Sequence, residues 1–108
     1  MKKLLLLRHA KAARPTPLSS DKERKLNERG RENAVRLGRA LGPHELIPEL
    51  IICSTAVRAS ETVNYLLDGL GKTIPVQLEE ELYLADPTTV FAHAQSAPEN
   101  ISALMIVG

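Results

Sequence analysis

An arginine and a histidine stand side by side at positions 8 and 9, directly after the apolar run Leu4-Leu5-Leu6-Leu7. A second arginine, Arg58, follows another apolar run, Leu50-Ile51-Ile52-Cys53, across the polar junction Ser54-Thr55. Two guanidiniums can each give bidentate hydrogen bonds to the equatorial oxygens of a phosphoryl group, and an imidazole beside them can attack phosphorus in line. The result is a phosphohistidine that water then hydrolyses, so one difficult transfer becomes two easier ones. Taken singly, Arg8 is a strand cap and Arg58 a helix-surface arginine. Taken together, at the ends of two apolar runs, they predict an anion site.

The elements that would hold them follow from hydrophobic periodicity. Four leucines bounded by charge suit a strand buried on both faces of a parallel sheet, and in open α/β sheets ligands bind beyond the carboxyl ends of the strands. Residues 10–21, with Pro15, Pro17, Ser19 and Ser20, read as an irregular loop over that end. Ala34, Leu37, Gly38 and Leu41 share one face of a helix capped by Asn27 and stopped at Gly42-Pro43, with Gly30 in its first turn implying close backbone packing. Ser54 or Thr55 is placed to cap a second helix, whose apolar face is Ala59, Val63, Leu66, Leu67 and Leu70 and whose stop is Gly71.

A short strand over residues 76–78 comes next, followed by Glu79-Glu80-Glu81 and Leu82-Tyr83-Leu84. Asp86-Pro87 reads as the N-cap and first residue of a third helix with Val90, Phe91 and Ala94 facing inward, and residues 103–107 form a last apolar run. Strands alternating with helices predict an α/β fold with right-handed crossovers: a three-layer, mostly parallel sheet with helices on both faces. The first strand is expected beside the strands that end near Ser54 and Gly108.

The 108 residues, 44% apolar and 25% charged, suit one domain spanning residues 1–108. The net charge of +1 conceals a division: residues 1–39 carry twelve Lys/Arg against four Asp/Glu, and residues 40–108 carry two against nine. With only Tyr65, Tyr83 and Phe91 for stacking and no recognition motif, the cationic part argues for a small anion and against nucleic acid. Most of Lys22, Arg24, Lys25, Arg29, Arg31, Arg36 and Arg39 read as solvated surface. Met1-Lys2-Lys3 before four leucines is too short for a signal sequence, and no run is long enough to span a membrane. The lone Cys53 reads as a buried small hydrophobe and fits a cytoplasmic protein.

Three stretches carry a family resemblance: Leu7-Arg8-His9-Ala10-Lys11-Ala12, Leu26-Asn27-Glu28-Arg29-Gly30, and Ser54-Thr55-Ala56-Val57-Arg58-Ala59-Ser60-Glu61-Thr62. Together they resemble the phosphoglycerate mutase-like histidine phosphatase superfamily, most closely its bacterial SixA-type phosphohistidine phosphatases. The resemblance implies that Arg8 and Arg58 are phosphate ligands and His9 the nucleophile, with no metal and no organic cofactor. It also implies a general acid after the third strand, for which Glu79, Glu80 and Glu81 are candidates and Glu81 is taken. Ala10 stands where the superfamily's Arg-His-Gly motif has glycine, which suits the SixA-like branch. His44 and His93 match no motif and are read as structural.

The implied substrate is a phosphohistidine on a bacterial signalling protein; the alternatives are a small phosphate ester, a mutase-like transfer, or an inactive phosphate-binding fragment. Family members carry a second phosphate-binding histidine directly after the strand that residues 103–107 resemble. On that basis the sequence is expected to be the N-terminal portion of a longer domain, C-terminally incomplete, a poor catalyst by itself and uncovered on one flank of its sheet.

Overall fold

A computed structural model describes residues 3–8 and 20–108, so His9 and nearly all of the proline-containing loop lie outside the described residues. The elements are β1 (Lys3–Leu7), α1 (Glu28–Leu41), β2 (Leu50–Ser54), α2 (Val57–Leu70), β3 (Val76–Glu79), α3 (Pro87–Gln95) and β4 (Ala103–Val107). Single 3-10 turns at Asp21–Glu23 and Glu80–Leu82 precede α1 and α3. All strand pairs are parallel, in the order β1-β4-β2-β3. Among the described residues no helix is long and apolar enough to cross a membrane.

The helix ends follow local chemistry. Asn27 accepts the Gly30 N–H at 2.7 Å and Asp86 accepts that of Thr89 at 2.9 Å, each satisfying a donor that a first helical turn leaves unpaired. Gly71 closes α2 at φ +71°, a left-handed conformation that favours glycine, and its N–H returns to the Leu67 carbonyl. One expectation needs correcting: neither Ser54 nor Thr55 is the N-cap of α2. The cap is Ala56, whose N–H donates to the Ser54 hydroxyl at 3.2 Å, so the helix starts one residue later than a Thr55 cap would give and two later than a Ser54 cap.

The three layers come from the direction of the crossovers. β1 to β2 and β2 to β3 run the same way across the sheet, which puts α1 and α2 on one face; β3 to β4 runs back and puts α3 on the other. Register does the sorting. Leu5, Met105 and Ile51 align in one row facing α1 and α2, whereas Leu4, Leu104 and Leu50 align in the next and face α3.

β4 stands between β1 and β2, so the first strand lies beside the one ending at Gly108, as expected, but not beside the one ending at Ser54. This topology also makes β1 an edge strand of the described sheet. It is half-buried, with Leu6 57% exposed, while β4 and β2 take the fully buried role that four leucines suggested for β1.

α1 and α2 approach at two glycines. A Cβ on Gly38 would lie 2.0 Å from the Leu66 carbonyl oxygen, and one on Gly69 would lie 2.0 Å from that of Val35. No rotamer relieves a clash with backbone, so the helices would have to separate. We therefore expect Gly38→Ala to lower stability by about 1–3 kcal/mol, overriding the ~1 kcal/mol that alanine gains in helix propensity. Gly42→Ala, in helical conformation with nothing within 4 Å of the new methyl, should be neutral or stabilising. Denaturant midpoints of the two variants check the pair, and equal midpoints would contradict the close approach.

Candidate active site

β1 and β2 end on the same side of the sheet, and each hands an arginine to a cavity of about 480 Å³ at the carboxyl edge. Arg8 follows β1 directly and is exposed, whereas Arg58 lies in the first turn of α2 and is only 4% exposed. Ser54 and Gly108 complete the sheet end of the cavity, and Leu84, Val90 and Phe91 form an apolar flank. Phe91 was expected to face inward from its helix; it is 53% exposed and lines this cavity instead.

A buried guanidinium demands partners, and Arg58 finds them across the chain. One terminal nitrogen donates to the Asp21 main-chain oxygen at 2.6 Å and the other to Asp21 Oδ2 at 2.9 Å. The Tyr83 hydroxyl donates to the same Oδ2 at 2.5 Å, and its ring centroid lies 5.7 Å from the Arg58 guanidinium carbon. Arg24 pairs with Asp21 Oδ1 at 3.0 Å. The Tyr83 phenol, and after it the Arg58 guanidinium, hold Asp21 below the ordinary 3.8 of an aspartate. In turn the hydrogen bond that the Tyr83 phenol gives to the Asp21 carboxylate holds its proton and raises it, and the carboxylate's charge adds to this.

Residues 20–26 form a strap that is tied down at several points. The Leu26 N–H donates to Glu61 of α2 at 2.9 Å, and Arg31 of α1 donates to the Leu26 carbonyl at 3.1 Å. Lys22 pairs with Glu80 at 2.9 Å. Of the cations expected to be solvated, Lys25, Arg29, Arg36 and Arg39 are exposed, but Lys22, Arg24 and Arg31 are part-buried and bonded.

The remaining site expectations divide. Arg8 and Arg58 share one cavity, and His9 lies outside the described residues. The three glutamates are engaged elsewhere: Glu81, 76% exposed, sits 3.2 Å from His93, Glu80 holds Lys22, and Glu79 accepts from Gln77. None of the three is among the residues lining the cavity. His93 is thus partnered with Glu81, and His44 is exposed in the turn after α1. Cys53 is fully buried, and burial pushes its thiol up to about 12, far from nucleophilic. Sequence reading missed Asp21, Tyr83 and Glu61. The signal for Asp21 was an acid at the head of a cationic stretch, in the run Ser20-x-x-Glu23 that opens a helical turn.

Residues 4–83 match the family model of the histidine phosphatase superfamily (branch 1). The chain belongs to that superfamily. Among curated relatives, an uncharacterized Mycobacterium leprae protein is 34% identical over 104 residues, covering 94% of this chain and 62% of the relative. The chain therefore spans about three fifths of the length of the curated relatives it matches. A solved structure assigned as the phosphohistidine phosphatase SixA of Agrobacterium tumefaciens superposes with a TM-score of 0.91 at 31% identity, covering 99% of this chain and 68% of that one. A Nakamurella protein assigned in the same way gives 0.87 at 28% identity, covering 99% and 58%.

The Asp21 carboxylate gives an acid-side prediction. Because its folded-state pKa lies below the unfolded 3.8, its contribution is fully present above that value and is lost as the pH falls through the folded one. Thermal melts of the wild type should drop more steeply on acidification than those of Asp21→Asn. Superimposable acid limbs would show that the carboxylate is not held by its neighbours.

Proposed function

We propose that this histidine phosphatase superfamily member is a phosphohydrolase that acts through a phosphohistidine on His9. The observation that supports this most is the convergence of Arg8 and Arg58, fifty positions apart in sequence, on one cavity at the carboxyl ends of parallel strands. Arg8 and Arg58 hold the equatorial oxygens of the phosphoryl group. A ring nitrogen of His9 bonds to phosphorus as the bond to the leaving group breaks, and that bond's electron pair goes with the leaving group. Water then attacks the phosphohistidine, returning neutral His9 and inorganic phosphate. Charge on the three equatorial oxygens is what such a site must stabilise, so cationic donors placed in advance supply most of the rate.

The substrate in this proposal is a phosphohistidine on a protein. Its imidazole is a better leaving group than an alkoxide and relies less on a general acid. That suits the placement of Glu81 against His93, outside the lining of the cavity. The likeness to structures assigned as SixA phosphohistidine phosphatases supports the same substrate. A small phosphate ester is the second reading, favoured by the apolar flank of Leu84, Val90 and Phe91, which would receive an aryl leaving group.

Incubation with a phosphoramidate donor should leave an acid-labile, base-stable phosphate that peptide mapping locates on His9. Arg58→Ala should weaken inorganic phosphate binding by about 1.5–3 kcal/mol, the range for a hydrogen bond to a charged group. No label on His9 during turnover, or label on another residue, would contradict the mechanism.

A further inference from the structure

The contacts around Arg58 do more than balance its charge. Both terminal nitrogens bond to one residue, Asp21, through its main-chain oxygen at 2.6 Å and its carboxylate at 2.9 Å. A planar guanidinium gripped at two nitrogens cannot rotate about its own axis without breaking one bond. The gripping carboxylate is itself fixed: Tyr83 donates to the oxygen that Arg58 uses, and Arg24 pairs with the other. Tyr83 lines the cavity, so the phenol that orients Asp21 belongs to the same wall as the arginine. The backbone that follows Asp21 is tied to α2 by the Leu26 N–H on Glu61, and the Lys22 side chain pairs with Glu80.

We propose that Asp21, oriented by Tyr83, is a positioning residue that sets the attitude of the Arg58 guanidinium toward the bound oxyanion. The proposal rests on the reading that Arg58 is a phosphate ligand. A rival account of the same contacts gives the opposite sign: if Asp21 were only a counter-charge, it would compete with the phosphate, and removing it would tighten anion binding. Geometry separates the two. An asparagine at 21 can still accept from Arg58 and Tyr83 through its amide oxygen, whereas alanine keeps neither side-chain bond.

The test is calorimetric titration of inorganic phosphate into the wild type, Arg58→Ala, Asp21→Asn, Asp21→Ala and Tyr83→Phe, with melting temperatures taken in parallel. Positioning predicts that Asp21→Ala weakens binding about tenfold and Tyr83→Phe about threefold, the losses expected for a charge-assisted bond and for a bond one step removed from the ligand. It predicts also that Asp21→Asn binds as well as the wild type or better, a rescue that a lost melting temperature does not mimic. Tighter binding in both Asp21 variants would overturn the proposal in favour of the counter-charge. Unchanged binding in Asp21→Ala with a clear loss in Arg58→Ala would overturn it while leaving the oxyanion site standing. Unchanged binding in Arg58→Ala would overturn the oxyanion reading and the proposal with it. Should Asp21→Ala not fold, Tyr83→Phe decides: a loss supports positioning and wild-type affinity refutes it.

Discussion

A guanidinium that is 4% exposed is the constraint on which the rest of the site depends. Removing such a charge from water costs several kcal/mol unless it is paired and its donors are satisfied. The partner comes from Asp21, thirty-seven positions away. To bring Asp21 in, residues 20–26 must cross the sheet end and be held there, and this explains what the second family motif does mechanically. Leu26 is buried and bonded to Glu61 through its N–H, and Arg31 grips its carbonyl, so the strap leaves Asp21 directly over α2.

The sheet places this assembly. Because β4 lies between β1 and β2, Arg8 and Arg58 stand on either side of the end of β4, where Gly108 donates its N–H to the Leu7 carbonyl. An oxyanion at that edge meets cations from both flanks. The α1–α2 contact contributes from behind: at Gly38 and Gly69 the helix backbones lie too close for any side chain, which fixes α2, and hence Arg58, relative to the face of Ile51, Cys53 and Met105.

Much of this was legible in the sequence because local chemistry sufficed. Asn27 and Asp86 cap because their short side chains reach back to the first turn, Gly71 stops α2 because it tolerates a positive φ, the runs at 50–53 and 103–107 have the length and burial of parallel strands, and the run at 4–7 has the length. What escaped required three dimensions. Nothing local distinguishes the edge strand β1 from the central β4, since four leucines look the same in either place. Phe91 lies on the apolar stripe of α3 yet borders the cavity, because periodicity finds a stripe without saying what covers it. Asp21 read as the last residue of a loop and Tyr83 as one of three scattered aromatics until the strap brought them to Arg58. Glu81 meets His93, twelve positions on, a pairing that no local pattern announces.

The central claim is that Arg8 and Arg58 act on one oxyanion. A double-mutant cycle on inorganic phosphate affinity, using Arg8→Ala, Arg58→Ala and the pair, measures this directly. If both guanidiniums hold the same phosphate, the double variant loses less than the sum of the single losses, with a coupling of about 0.5–3 kcal/mol. Single losses that simply add would place the two arginines on separate anions and contradict the account.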